Sequence, residues 1–466
     1  MTYFFETYGC QMNSAESATL TLVCRERGWT VAPNGENADL VLINTCSVRL
    51  TAEQRALGRI ALYASIKKKR RAQGQRFALV VAGCMAQRME KTLKEKYPAV
   101  DYVMGTASRS LFPLILETVE KNVNDISFPE ITAEESPEFS FSSSHLEEGQ
   151  FRSFVPIMHG CNNFCSYCIV PYVRGREISR DPRLILEEIR LVGERGVREI
   201  TLLGQNVNSY NWNGGERLPG GELNFAGLLR TIAAEAEKSG IKWLRFLSAN
   251  PKDFSPETIR VMAEHPVFCR HLHLCVQHGS NRILAAMNRG YTREHYLSLV
   301  KEIRSAMPEI SLSTDILIGF PGETEEDVQE TLALMDEVPF LYAYMYHYNP
   351  REGTAAYNLP DRISEEVKRE RLSRVINLQK KHTTALLKKR IGAREMVLVE
   401  GISRKNADEL VTRTERDEMA VVPGPASMIG SFAELSLSSL RGNTFRAKLC
   451  GHAAAPYQGE TSCPGV

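Results

Sequence analysis

Three shortages shape the reading of this 466-residue chain. Charge of one sign is missing: 57 Lys and Arg against 56 Asp and Glu leave a net charge of +1. No global field marks a nucleic-acid binder, so any RNA contact has to come from local patches. Long hydrophobic runs are missing as well, and none approaches a membrane span. The cysteine count is odd, 11 in all, and the opening Met1–Glu6 has neither a basic start nor a long apolar stretch. A secreted disulfide framework is therefore not expected, and the chain reads as cytoplasmic. The remaining composition is ordinary, 43% hydrophobic and 24% charged. The length predicts two or three domains.

What is present is a tight row of cysteines, Cys161, Cys165 and Cys168, in FVPIMHGCNNFCSYCIVPY. The C-x3-C-x2-C spacing lets three thiolates face one inorganic centre without long loop closure. An iron–sulfur cubane normally takes four cysteines. Three leave one iron open for chemistry. Zinc is the rival, but structural zinc sites usually pair two C-x2-C knuckles or add matched histidines, and no second knuckle lies nearby. His159 is read as a neighbour.

Residues 1–125 alternate apolar runs with helical stretches and predict an α/β domain with a parallel sheet. The runs Tyr3 to Tyr8, Leu40 to Asn44 and Phe77 to Ala82 each end in a cysteine: Cys10, Cys46 and Cys84. Sites in open α/β sheets form at the carboxyl ends of strands, so a second set of three thiolates is expected there. Three separately buried cysteines remain the alternative. Residues 126–150, rich in Ser and Glu, read as a linker. Residues 151–375 repeat strand, loop and helix six times and predict a partial (β/α)6 barrel. Its strands are expected at Phe154 to Met158, Glu199 to Leu203, Trp243 to Leu247, His271 to Val276, Ser311 to Ile318 and Tyr342 to Tyr348. Asp181-Pro182 and Thr324 with Asp327 read as helix starts. Residues 364–390 are polar and helical, with 376–390 as a connecting helix. Residues 391–450 hold five short β-runs, a small five-stranded β-barrel. Residues 451–466 read as a tail. Local basic candidates are Lys67 to Arg71 and, in the small barrel, Arg404, Lys405, Arg413, Arg416, Arg441, Arg446 and Lys448.

The cysteine row, with aromatic Tyr167 before its third member, resembles that of the radical S-adenosylmethionine (SAM) enzymes. ETYGCQMN, INTCSVR, VAGCMAQ, GCNNFCSYCIVPYVRGREISR and STDILIGFPGETEED together resemble the methylthiotransferases, with a carboxy-terminal TRAM-like domain, from residue 3 to about 450. LLGQNVNSY is similar to the branch acting on tRNA adenosines that carry N6-dimethylallyl groups. Two other branches act on threonylcarbamoyl adenosine in tRNA and on an aspartate of a ribosomal protein. A non-enzymatic iron–sulfur or zinc RNA-binding protein is disfavoured by the six-unit barrel.

The resemblance implies methylthiolation of carbon 2 of the adenosine 3′ of the anticodon, two [4Fe-4S] clusters and SAM. Cys161, Cys165 and Cys168 would hold the SAM-cleaving cluster, and Cys10, Cys46 and Cys84 an auxiliary cluster that carries sulfur. It implies a tRNA substrate, an electron donor and a sulfur donor; the chain itself is expected to be a monomer. Tyr167, Gln205, Gln277 and Asp315 are candidate SAM contacts, with structural hydrogen bonds as the competing reading. Arg174, Arg176 and Arg180 are candidates for substrate phosphate or the SAM carboxylate, with surface charge as the competing reading. The family usually reads LHLPVQSGSN where this chain reads LHLCVQHGSN. Cys275 and His278 thus lie on a segment expected to face the mouth, and are read as tolerated variation. Cys24, Cys269 and Cys450 are assigned to packing and Cys463 to the tail.

Overall fold

The computed structural model describes residues 1–47, 50–121, 149–214 and 222–450. The expected linker, except its last two residues, and the expected tail with Cys463 lie outside these. The amino-terminal sheet contains β1 (Thr2–Tyr8), β2 (Thr30–Val31), β3 (Leu40–Thr45), β4 (Ala78–Gly83) and β5 (Tyr102–Met104). All are parallel, in the order β2-β1-β3-β4-β5. The runs LVLINT and ALVVAG are apolar almost throughout because both faces of β3 and β4 are covered. Leu40, Leu42 and Val80 meet α1 (Gln11–Glu26) and α4 (Phe112–Lys121) on one face. Val41, Ile43 and Val81 meet α2 (Leu50–Ala72) and α3 (Cys84–Lys96) on the other. The edge strands β2 and β5 were not expected.

The central region runs β6 (Arg152–Pro156), β7 (Met158–His159), α5 (Val170–Arg174), β8 (Ile178–Ser179), α6 (Pro182–Glu194), β9 (Glu199–Leu203), a hairpin of β10 (Asn211–Asn213) and β11 (Glu222–Asn224), α7 (Phe225–Lys238), β12 (Trp243–Phe246), α8 (Pro256–Glu264), β13 (His271–His273), α9 (Asn281–Ala286), α10 (Arg293–Ala306), β14 (Ser311–Ile318), α11 (Glu325–Glu337) and β15 (Tyr342–His347). Parallel sheets β6-β9-β12 and β13-β14-β15 are joined by a bridge between Ala249 and Leu274. The six strands therefore follow one another in chain order as an open barrel. Asp181 and Thr324 cap α6 and α11 as expected, the latter with a full capping box to Asp327.

Helix α12 (Glu365–Lys388) packs along the last barrel strands: Gln379 donates to the Phe340 carbonyl at 2.8 Å and Thr383 to that of Leu341 at 2.7 Å. The five expected carboxy-terminal strands close into a barrel: β16 (Arg394–Ser403), β17 (Asn406–Thr414), β18 (Met419–Pro423), β19 (Phe432–Arg441) and β20 (Thr444–Leu449). It docks where the large barrel's strands begin. Arg413 pairs with Glu199 at 2.8 Å, and the buried Arg245 donates to the carbonyls of Thr414 and Glu415 at 3.0 Å. The Trp243 and Phe432 rings meet edge-on at 4.8 Å. The opposite end, where the strands finish, is left to the cysteine loops. Among the described residues no helix is long and apolar enough to cross a membrane.

Candidate functional site

Residues Tyr8, Thr45 and Gly83 stand in one row across β1, β3 and β4. The chain leaves the sheet there, which sets Cys10, Cys46 and Cys84 along a single edge. Strand order reverses between β1 and β3, the place where open α/β sheets gather ligands. Cys10 and Cys46 flank that crevice. Asn13 organises it: its Oδ1 accepts from the Cys10 N–H and thiol at 3.3 Å, and its Nδ2 donates to Asn44 Oδ1 at 3.0 Å and the Thr45 carbonyl at 3.1 Å. Gly83 has φ +93°, and a methyl group there would strike the Thr45 carbonyl. A hydrogen bond from Cys46, helped by Arg174 against the effect of burial, brings the Cys10 thiol down to about 6. Such a sulfur is largely thiolate at neutral pH, the form that binds metal.

The second triplet occupies the loop between β7 and α5. Gly160, at φ +76°, lets that loop pass against the Arg176 carbonyl. Its N–H donates to Gln205 Oε1 at 2.6 Å, the Cys161 N–H to the Gly175 carbonyl at 3.2 Å, and Ser166 Oγ to the Ala286 carbonyl at 2.8 Å. The loop is thus pinned at both ends before any ligand arrives. Burial pushes the Cys161 thiol up to about 11 and Cys168 to about 12. Arg289 Nη1 donates to Cys165 Sγ at 3.2 Å.

Helix α5, directly after Cys168, joins the two triplets. Ile169 and Val173 pack against Cys84. Arg174 Nε donates to Cys84 Sγ at 3.2 Å, and its Nη1 pairs with buried Glu16 at 2.6 Å. Arg109 shares Glu16 at 2.7 Å, and Arg351 reaches across to Glu53 at 3.2 Å. Among the described residues no cysteine pair forms a disulfide. Among them, too, the only trio of His, Cys, Asp or Glu donors within 4.8 Å of one another is His273, Cys275 and Asp315.

Residues 155–335 match the Radical SAM superfamily, and residues 2–105 match an uncharacterized protein family, UPF0004. A tRNA-2-methylthio-N(6)-dimethylallyladenosine synthase of Treponema denticola is 51% identical, covering 96% of this chain and 100% of its own. A protein of the same name from Geobacter sulfurreducens is 42% identical over 93% of this chain and 94% of its own. The chain belongs to this synthase family. A solved structure of the radical SAM methyltransferase TsrM from Kitasatospora setae shares the fold, with TM-score 0.56 at 15% identity over 76% of this chain and 77% of that one.

Against that family frame, the expected SAM contacts separate. Gln205 is committed to the Gly160 N–H and holds the cysteine loop. Tyr167 packs beside Ile283, Met287, Phe320, Tyr348 and Ala356. Gln277, at φ +69°, and Asp315 are joined through the backbone, the Gln277 N–H donating to the Asp315 carbonyl at 2.9 Å. Arg174 and Arg180 are both buried in ion pairs within the protein. Arg174 is buried against Cys84 and Glu16, while Arg180 is buried against Glu188 and the Pro156 carbonyl. Arg176 is exposed, with its guanidinium 4.3 Å from the Phe164 ring centre.

His278 does not face the mouth either. It is wholly buried, 3.2 Å from Glu323 Oε2, and Arg371 completes that pair at 2.8 Å. Cys24 and Cys269 are core residues, whereas Cys450 is partly exposed at the end of β20. Of the Lys67 to Arg71 run, Lys67 and Arg71 pair with Asp101 and Arg70 with Asp39, which ties α2 to the sheet. Arg413, Arg416 and Arg446 are likewise paired, leaving Arg404, Lys405, Arg441 and Lys448 exposed on the small barrel. Arg289 was missed. It sits on no strand end, and only the fold brings it to Cys165.

Proposed function

We propose that this protein methylthiolates carbon 2 of N6-dimethylallyladenosine in tRNA, at the adenosine 3′ of the anticodon, by radical SAM chemistry. The observation that carries the reading is the pair of cysteine triplets, linked by α5, in a chain half identical to such synthases along nearly its whole length. Cys161, Cys165 and Cys168 hold a SAM-binding [4Fe-4S] cluster, and Cys10, Cys46 and Cys84 an auxiliary one. When bound, these centres supply an electron for SAM cleavage and an iron for the sulfur that is transferred.

The chain's own residues prepare both places. Arg289 and Arg174 each donate a hydrogen bond to one cysteine sulfur. Gln205 fixes the loop that presents the SAM-site triplet, and Asn13 ties together the two loops of the auxiliary one. Gln277 offers a polar group near the strand ends for SAM. Arg404, Lys405, Arg441 and Lys448 are available to RNA phosphate. The electron and sulfur donors are separate partners, the chain acts as a monomer, and the compartment is the cytoplasm.

Mass spectrometry of tRNA nucleosides tests the reading. Cells lacking the protein should accumulate N6-dimethylallyladenosine without its methylthio group. Loss of methylthio from threonylcarbamoyl adenosine instead, or unchanged tRNA, would overturn it.

A further inference from the structure

We propose that His273, Cys275 and Asp315 form a third metal site, a single-ion site of zinc-type chemistry inside the large barrel. Strands β13 and β14 are paired in register, with His273 opposite Ser313. His273 closes β13, Cys275 follows two residues beyond its end, and Ser313 and Asp315 lie on β14, where the side chains meet. Cys275 Sγ lies 3.2 Å from His273 Nε2, and that nitrogen lies 3.6 Å from Asp315 Oδ2. All three donor atoms fall within 4.8 Å of one another. Ligands at 2.0–2.3 Å around one tetrahedral ion require about this separation.

The surroundings fit as well. His273 Nδ1 is 2.9 Å from Ser313 Oγ, and the same hydroxyl is 2.9 Å from His271 Nε2. With Ser313 accepting from Nδ1–H and donating to His271, Nε2 of His273 turns its lone pair toward Cys275 and Asp315. Metal-binding histidines are usually held by such an outer partner. The Cys275 carbonyl is fixed by Arg289 Nη2 at 3.0 Å and Tyr291 Oη at 3.1 Å. His273 and Cys275 are buried, while the Asp315 side chain is 29% exposed.

One sulfur, one imidazole and one carboxylate suit zinc among common divalent ions. On binding, the Cys275 S–H bond gives way to an S–metal bond and its proton leaves to solvent.

The test uses holoenzyme prepared anaerobically, equilibrated with zinc sulfate and freed of loose metal by gel filtration. Zinc per chain is measured by mass spectrometry, and the ligand shell by zinc-edge X-ray absorption, which is blind to iron. About one zinc is expected, with one sulfur near 2.3 Å and nitrogen and oxygen near 2.0 Å. Cys275→Pro, Cys275→Ser and Asp315→Asn should each lower the zinc affinity at least tenfold, with iron unchanged. Zinc retained equally by wild type and variants, no zinc retained by the wild type, or a shell of several sulfurs would overturn the site. Cys275→Ser keeps the side-chain volume, and its iron content verifies folding if Cys275→Pro misfolds. No readout depends on tRNA modification.

Discussion

The two cysteine triplets are gathered by opposite routes. Cys161, Cys165 and Cys168 lie in one loop, shaped by Gly160 and pinned by Gln205. Cys10, Cys46 and Cys84 come from three strand ends and depend on the register of a whole sheet. A local triplet is robust to change elsewhere but leaves its centre half-dressed, so distant Arg289 supplies charge. A topological triplet is hostage to sheet packing, and Arg174 from the neighbouring domain completes it. In both cases the charge compensation is non-local.

The sharpest way to break this comparison is to remove each triplet separately. Replacing Cys161, Cys165 and Cys168 with alanine should abolish 5′-deoxyadenosine formation and leave about half of the iron expected for two [4Fe-4S] clusters. Replacing Cys10, Cys46 and Cys84 should preserve SAM cleavage and stop methylthio formation. Product from the second variant would refute two separate centres.

Next in size comes Arg174→Met. Removing one partner of a buried charge pair costs about 3–5 kcal/mol, and Arg109 should limit the loss to the lower end here. Iron at the auxiliary centre and methylthio yield should fall while SAM cleavage persists. Arg289→Met should do the reverse, with cleavage lost first. Identical losses from both would show that the sites do not keep separate supports.

The loop triplet was legible because its spacing is written within eight residues. The strand-end triplet was legible because each apolar run stops at a cysteine. The six barrel strands and the five of the small barrel also carried their own patterns. Strands β2 and β5, two and three residues long, are too short to show any period. Arg174 looked like a phosphate ligand because its partners, Glu16 and Cys84, lie 158 and 90 positions away. His278 looked mouth-facing because it lies in the loop expected after a strand to Val276, whereas the backbone turns at Gln277 and the ring is buried against Glu323. Charge pairing across domains leaves no local trace.

Smaller effects should follow from the two glycines that admit the loops. Gly83→Ala and Gly160→Ala each force a left-handed backbone on a residue with a side chain, at about 1–3 kcal/mol, and also push a methyl group into a carbonyl. Gly83→Ala should reduce auxiliary iron preferentially, and Gly160→Ala the SAM-site iron. Electron paramagnetic resonance of the reduced protein, with and without SAM, separates the two populations. A variant that depleted both equally would mean that the loops fold as one unit.

Asp327 supplies the control outside both triplets. It closes the capping box of α11, accepting from Thr324 N–H at 2.7 Å and Ser280 Oγ at 2.6 Å. Burial pushes its carboxyl up, but the bonds from Ser280, Thr324 and Arg282 outweigh burial and hold it at about 2, against an ordinary 3.8. A depressed carboxyl stabilises the fold fully above its unfolded value and loses that effect as pH falls from about 4 through 2. Across the neutral range the contribution is therefore flat. Asp327→Asn should lower stability by about 1 kcal/mol, as cap losses do, with the same gap from wild type at each neutral pH in urea unfolding. Iron content and SAM cleavage should not change. If iron fell as it does for Gly160→Ala, losses there would report general destabilisation, and the contrast between the two triplets would lose its meaning.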